Sequence, residues 1–129
     1  IAESEQVDEK CLFTLEAAAL THDIGIHLCE EKYGNCNGKL QEKEGPALAE
    51  QMLSELGFEK DVIERVSFLV GHHHTYTGID GLDYQILVEA DFLVNLFEGN
   101  TDTAHIRATY DNIFRTETGK KICREMFGL

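Results

Sequence analysis

Apolar residues recur along this chain at steps of three and four, and nowhere alternate convincingly with a period of two, so helices are predicted throughout. A first helix is predicted over roughly residues 9 to 23, with Leu12, Leu15, Ala19 and His22 on one face and Gly25 ending or bending it. Residues 27 to 43 are polar and contain Gly34, Asn35, Asn37 and Gly38, which predicts a long loop. Pro46 suits the first turn of a second helix that Gly57 closes, its inward face formed by Leu48, Met52 and Leu56. Asp61 caps a third, which turns Val62, Val66, Leu69 and His73 inward. After a glycine-containing loop over residues 75 to 83, residues 84 to 98 are apolar nearly all round and predict a buried central helix. Two further helices fit residues 103 to 114 and 118 to 127. The reading is a single all-α domain over residues 1 to 129, a helical bundle packed around the helix at 84 to 98.

Length agrees with this, since 129 residues suit one hydrophobic core. The longest apolar stretch, residues 86 to 97, is broken by Glu89, Asp91 and Asn95, and the N-terminus lacks a signal-peptide layout. A cytoplasmic protein with no membrane partner is therefore expected. Cysteines 11, 29, 36 and 123 form no CxxC pair and read as free thiols.

Charge narrows the choice of partner. The net charge is −13, and residues 1 to 100 carry 6 basic against 20 acidic side chains. Such a body repels nucleic acid. A small phosphorylated substrate remains compatible if cations reverse the potential locally, and a metal ion does so most economically.

Four groups carry candidate chemistry. His22-Asp23 ends an apolar helix, where a rigid element positions ligands beside an open loop; by itself the pair reads equally as a core histidine and a turn residue. His72-His73-His74 follows the third helix, and His73 continues that helix's apolar stripe, which a solvated helix end does not explain. Asp91 interrupts a run of core residues, where an unpaired carboxylate costs on the order of several kcal/mol; a metal, a protonated histidine, or a bond to Asn95 or a helix end would offset it. Glu44, before Gly45-Pro46, reads as a helix-start carboxylate. Imidazoles and carboxylates from separate helices describe a site for iron, manganese, zinc, magnesium or a similar divalent ion such as nickel. No glycine-rich phosphate loop or serine or cysteine nucleophile motif competes.

The run Ala17-Ala18-Ala19-Leu20-Thr21-His22-Asp23-Ile24-Gly25 resembles the "AALLHDIG" signature of the HD-domain superfamily of metal-dependent phosphohydrolases. Leu69-Val70-Gly71-His72-His73 resembles its histidine-bearing helix end, and Ile86-Leu87-Val88-Glu89-Ala90-Asp91 its closing "ILVEAD" segment. The resemblance implies that His22, Asp23 and Asp91 ligate a metal. In a binuclear site, His72 and His73 would hold a second ion, with Asp23 bridging. It further implies hydrolysis of a phosphate ester by metal-activated water, with Asp23 catalytic and His74, or His27, as general acid or clamp.

The chain departs from the family's pattern at three points. No histidine precedes His22, which implies a helix upstream of this sequence or an incomplete site. Ile26 stands where the family commonly has lysine, and Glu44 falls near another family histidine. Arg115 and Lys120 flank Thr116 and Thr118 and are the first choices to grip substrate phosphate, against the alternative of a solvated helix face. The leading reading is a phosphohydrolase acting on a small phosphorylated molecule, possible nucleotides included. The rivals are a non-catalytic HD-like module that binds metal or ligand as a regulator, and a purely structural metal site.

Overall fold

The computed structural model describes residues 1–129 as an all-helical chain without strands: α1 (Glu9–Thr21), α2 (Ile26–Tyr33), α3 (Gly38–Glu55), α4 (Lys60–Val70), α5 (Leu82–Glu98), α6 (Thr103–Ile113) and α7 (Glu117–Phe127). None of these helices is long and apolar enough to cross a membrane. Four helices begin at a side-chain cap: the oxygens of Asp8, Asn37, Asp102 and Thr116 accept from the backbone N–H three residues on. Each satisfies a donor that the first helical turn leaves open.

Packing proceeds as a chain of neighbours: α2 against α3, α3 against α4, α4 against α1, α1 against α5, and α5 against α6 and α7. The main core joins Leu15 and Ala18 of α1, Ala49 and Leu53 of α3, Val62, Val66, Leu69 and Val70 of α4, and Tyr84, Ile86, Leu87 and Val88 of α5. Leu93 and Leu96, from the far half of α5, join Ile106, Phe114 and Cys123 in a smaller second core. Helix α5 therefore links the two cores. It is not buried all round, because Leu82, Val94 and Phe97 face outward.

Two expectations for the second quarter of the chain are corrected. Residues 27 to 43 are not a long loop. Helix α2 occupies the first part and stops at Gly34, which takes a left-handed φ of 74°. Helix α3 then starts at Gly38 and carries Pro46 in its interior. Its inward residues are Gln41, Gly45, Ala49 and Leu53, while Met52 and Leu56 are exposed. The reason is close packing by small residues: a Cβ on Gly45 would lie 2.7 Å from Val70 Cγ1, and one on Gly25 would lie 3.1 Å from Gly45 N. Hydrophobicity favours Met52 and Leu56, but their bulk would hold α3 away from α4. Helix α1 makes the same choice, burying Ala17 and Ala18 and exposing Ala19.

Candidate metal centre

Three chain segments converge at the end of the bundle where α1 and α4 finish. His22 caps the C-terminus of α1, and Asp23 follows it. Helix α4 ends at Val70, and the turn after it delivers His73 and His74. Asp91 projects from the middle of α5.

The histidine rings are oriented by their own backbones. His22 donates Nδ1–H to the Ala19 carbonyl, and His73 donates Nδ1–H to the Val70 carbonyl, each at 2.7 Å. Each bond fixes the tautomer and leaves Nε2 as the lone-pair nitrogen of the neutral ring. His22 Nε2 lies 3.2 Å from Asp23 Oδ2 and 3.4 Å from Asp91 Oδ1. His73 Nε2 lies 3.8 Å from Asp23 Oδ1, and the two rings meet edge-on with centroids 5.2 Å apart. His73 is wholly buried, and its Nε2 has no hydrogen-bond partner.

Charge follows from this geometry. Burial opposes a proton on His22, but hydrogen bonds to Asp23, Asp91 and the Ala19 carbonyl outweigh it and push its pKa up to about 10. The bond to His22, and then the His73 imidazole 3.8 Å away, hold the Asp23 carboxyl well below the usual carboxylate range, against partial burial. The His22 imidazole thus stands between the carboxyl groups of Asp23 and Asp91. The expected cost of placing Asp91 in a core helix is met by this imidazole, not by Asn95.

His74 differs from its neighbours. Its ring lies 4.1 Å from that of His73, centroid to centroid. Gln41 donates its amide N–H to the Cys36 carbonyl at 2.8 Å, which turns Gln41 Oε1 toward His74 Nε2 at 3.1 Å. His74 therefore donates from Nε2 and accepts at Nδ1 from the Tyr76 hydroxyl, 3.3 Å away. Burial first, and the neighbouring His73 second, lower its pKa, so the ring is neutral near neutral pH. Glu42 accepts from the His74 backbone N–H at 3.1 Å and from the Thr75 hydroxyl at 2.8 Å, fixing the turn.

Ligand atoms of Asp23, His73 and His74 lie within 4.8 Å of one another, and this triad is a possible metal-binding group. The donor chemistry fits a divalent ion. It offers an unpartnered buried imidazole nitrogen, carboxylates at Asp23 and Asp91, and His22 as a further imidazole. His73 is the member with an open valence. His74 joins as a ligand only by exchanging its bond to Gln41 or Tyr76.

Other sequence candidates lie elsewhere. His72 donates Nδ1–H to the Phe68 carbonyl at 2.7 Å and stacks on the Phe68 ring at 4.0 Å, outside the triad. The group of ligand atoms around Asp23 contains His73 and His74. His27 is exposed and pairs with Glu31 at 3.0 Å. Glu44 accepts from Tyr33 at 2.7 Å and from Lys32 at 3.1 Å, fastening α2 to α3. Arg115 donates from its guanidinium to the carbonyls of Asp111, Asn112 and Phe114, so it caps the end of α6. Lys120 lies part-way along α7 and is half-buried.

Sequence reasoning passed over Gln41 and Glu42, which orient His74, and Glu89. Gln41 falls in the segment whose polar composition predicts a loop; its i, i+4 relation to Gly45 is the signal that marks the inward face. Glu89 is wholly buried and accepts from the backbone N–H groups of Arg115 and Thr116 at 2.9 and 3.0 Å, and from the Thr116 hydroxyl at 2.6 Å. It anchors the start of α7. No known family's model matches the chain, and no curated protein and no solved structure matches it.

Proposed function

We propose that the chain is a divalent-metal-dependent phosphohydrolase of the HD type, acting on a small phosphorylated molecule. The observation that carries this reading is the unpartnered Nε2 of the buried His73, aimed at Asp23 beside the His22–Asp91 pair. A buried polar atom without a partner is costly, and a ligand explains why it persists. Asp23, His73, His22 and Asp91 would hold the ion, with His74 at its outer side. A divalent ion supplies charge that polarises a phosphoryl group and acidity toward water.

The chain's own residues do the rest. The Ala19 and Val70 carbonyls keep the two imidazoles turned to the site. Asp23, half-exposed, is the ligand in contact with solvent and so borders the route by which a substrate arrives. His74, neutral and carrying its proton on Nε2, is the group placed to hold a leaving-group or phosphate oxygen once Gln41 yields. The imidazole donors favour iron, nickel or zinc, and the carboxylates also suit manganese or magnesium.

Metal analysis of the purified chain, followed by a screen of phosphate mono- and diesters, tests the reading. The expected result is bound metal and metal-dependent turnover, with Asp23→Ala losing metal affinity by on the order of a hundredfold. No bound metal and no thermal stabilisation by these ions would overturn it. Bound metal without turnover on any ester would instead indicate a non-catalytic module that binds metal or ligand.

A further inference from the structure

The sequence predicts an inward face for Met52 and Leu56, and the fold leaves both on the surface. Leu56 is 67% exposed, and it does not stand alone. An open groove of ≈ 660 Å³ lies between the start of α1 and the connection from α3 to α4, and Phe13, Leu56, Phe58 and Val62 line it. The Phe13 and Phe58 rings stack there at 5.5 Å between centroids. Phe58 rests inward on the main core, whereas Phe13 is half exposed. Isolated exposed apolar residues are ordinary, but several sharing one depression mark a contact surface.

Helical spacing extends this surface along both helices. Glu9, Phe13, Glu16 and Leu20 follow steps of three and four residues, so they share one outward stripe of α1, and Leu20 is 88% exposed. Helix α1 packs on α4 and α5 through its buried side, which includes Leu15 and Ala18, and leaves this stripe to solvent. Met52 lies one turn before Leu56 on α3. The rim charges have one sign. Glu9 and Glu59 border the groove without an ion-pair partner, and Lys10 is held by Asp61. Across Phe58 a second, more polar groove of ≈ 520 Å³ adds Glu50 and Glu64, with Lys60 paired to Glu64.

We propose that this face docks a basic amphipathic helix of a partner protein. Its apolar side lies on Phe13, Leu56 and Phe58, and its lysines or arginines lie over Glu9, Glu16 and Glu59. Charge selects the occupant. A second copy of this chain would bring the same unpaired carboxylates against these, and an anionic lipid surface would bring more charge of that sign. A basic helix supplies the opposite charge to the rim, and its apolar side chains recur at the spacing that matches the stripe of α1. Helices α1 and α4 begin at this groove and finish at the metal centre, so docking here is independent of the chemistry proposed above.

The probe is a synthetic helix of about 18 residues with leucine on one side and lysine on the other. It is titrated into the isotope-labelled full chain and followed by amide chemical shifts and fluorescence anisotropy. The expected shifts are at residues 9 to 20 and 56 to 59, with affinity about tenfold weaker in Phe13→Ser and in Leu56→Ser. Circular dichroism checks that both variants stay folded. Glu9→Gln combined with Glu59→Gln should weaken binding about threefold, whereas Glu30→Gln combined with Glu31→Gln, on α2, should leave it unchanged. Equal losses in the two double variants would reduce binding to the net charge of −13 and overturn the proposal. No binding, shifts spread over the whole surface, or equal affinity for the same peptide with glutamate in place of lysine would overturn it too. Self-association of the free chain that Phe13→Ser abolishes would assign the face to a second copy. Phosphatidylserine vesicles that broaden these resonances where the peptide does not would assign it to a membrane; either result overturns the proposal.

Discussion

His73 and His72 are adjacent residues of the same type with opposite surroundings. His73 is sealed in the protein with its Nε2 open toward Asp23, whereas His72 lies over the Phe68 ring. We expect His73→Ala to weaken divalent-metal binding by about a hundredfold, and His72→Ala to leave it within about threefold of wild type; calorimetric titration of both variants checks this. Equal losses would place His72 in the site. Asp83 illustrates a different residue-scale balance. Burial raises its pKa, but the Arg65 guanidinium, at 2.6 and 2.8 Å, and the Tyr84 N–H outweigh burial and lower it. A depressed folded-state pKa contributes stability that is whole above the ordinary carboxyl range, near pH ~4, and is lost as pH falls through the depressed value. Urea midpoints measured from pH 6 down to 2.5 should therefore fall more steeply in wild type than in Asp83→Asn. Identical slopes would show that Arg65 does not act through the charge of Asp83.

At the scale of elements, helix α3 shows where hydrophobic patterning misleads. Leu48, Met52 and Leu56 form an apolar stripe, yet the helix buries Gln41, Gly45, Ala49 and Leu53. Packing against α4 is decided by how closely the two backbones approach, and only glycine permits the distance seen at Val70. Gly45→Ala should cost about 1 to 3 kcal/mol by overpacking, measured by chemical denaturation. Because Val70 also offers its carbonyl to His73, the same variant should loosen the metal site. Unchanged stability would mean that α3 moves freely against α4. The start of α3 was hidden from the sequence for a related reason. Asn37 and Gly38 are loop-forming residues by composition, but here one caps the helix and the other makes room for His74. The inward stripe of α4 was legible because its apolar residues keep one spacing, Val62, Val66 and Leu69, as far as the turn.

Across the whole molecule, two cores are joined by one helix and one buried carboxylate. Helix α5 carries Asp91 to His22 and Glu89, two residues earlier, to the opposite side, where it receives the start of α7. Gly119 is required there, since a Cβ would lie 1.9 Å from Glu89 Oε1. Removing the carboxylate in Glu89→Ala leaves two backbone N–H groups and a hydroxyl without their acceptor, which should cost roughly 2 to 4 kcal/mol. Hydrogen exchange should show α7 opening more often than α1 or α4; protection lost evenly over the chain would count against Glu89 as a local anchor. The segment at the other end, where Glu5 accepts from the Thr118 N–H at 3.2 Å, fastens the same helix from outside.

The sequence by itself determined the helical class, the stripe of α4 and the presence of His22, Asp23, His73 and Asp91 at places where apolar periodicity is interrupted by ligating groups. Those features are local, set by spacing within one helix or by the cost of a carboxylate in an apolar run. Tertiary structure alone decided that His74 and not His72 stands beside His73, that Gln41 and Glu42 orient it, that Arg115 is spent on a helix end, and that Phe13 and Leu56 share an open groove. Each of these depends on the direction a turn takes after its helix ends and on how near two backbones can come. The spacing of one segment does not encode either quantity.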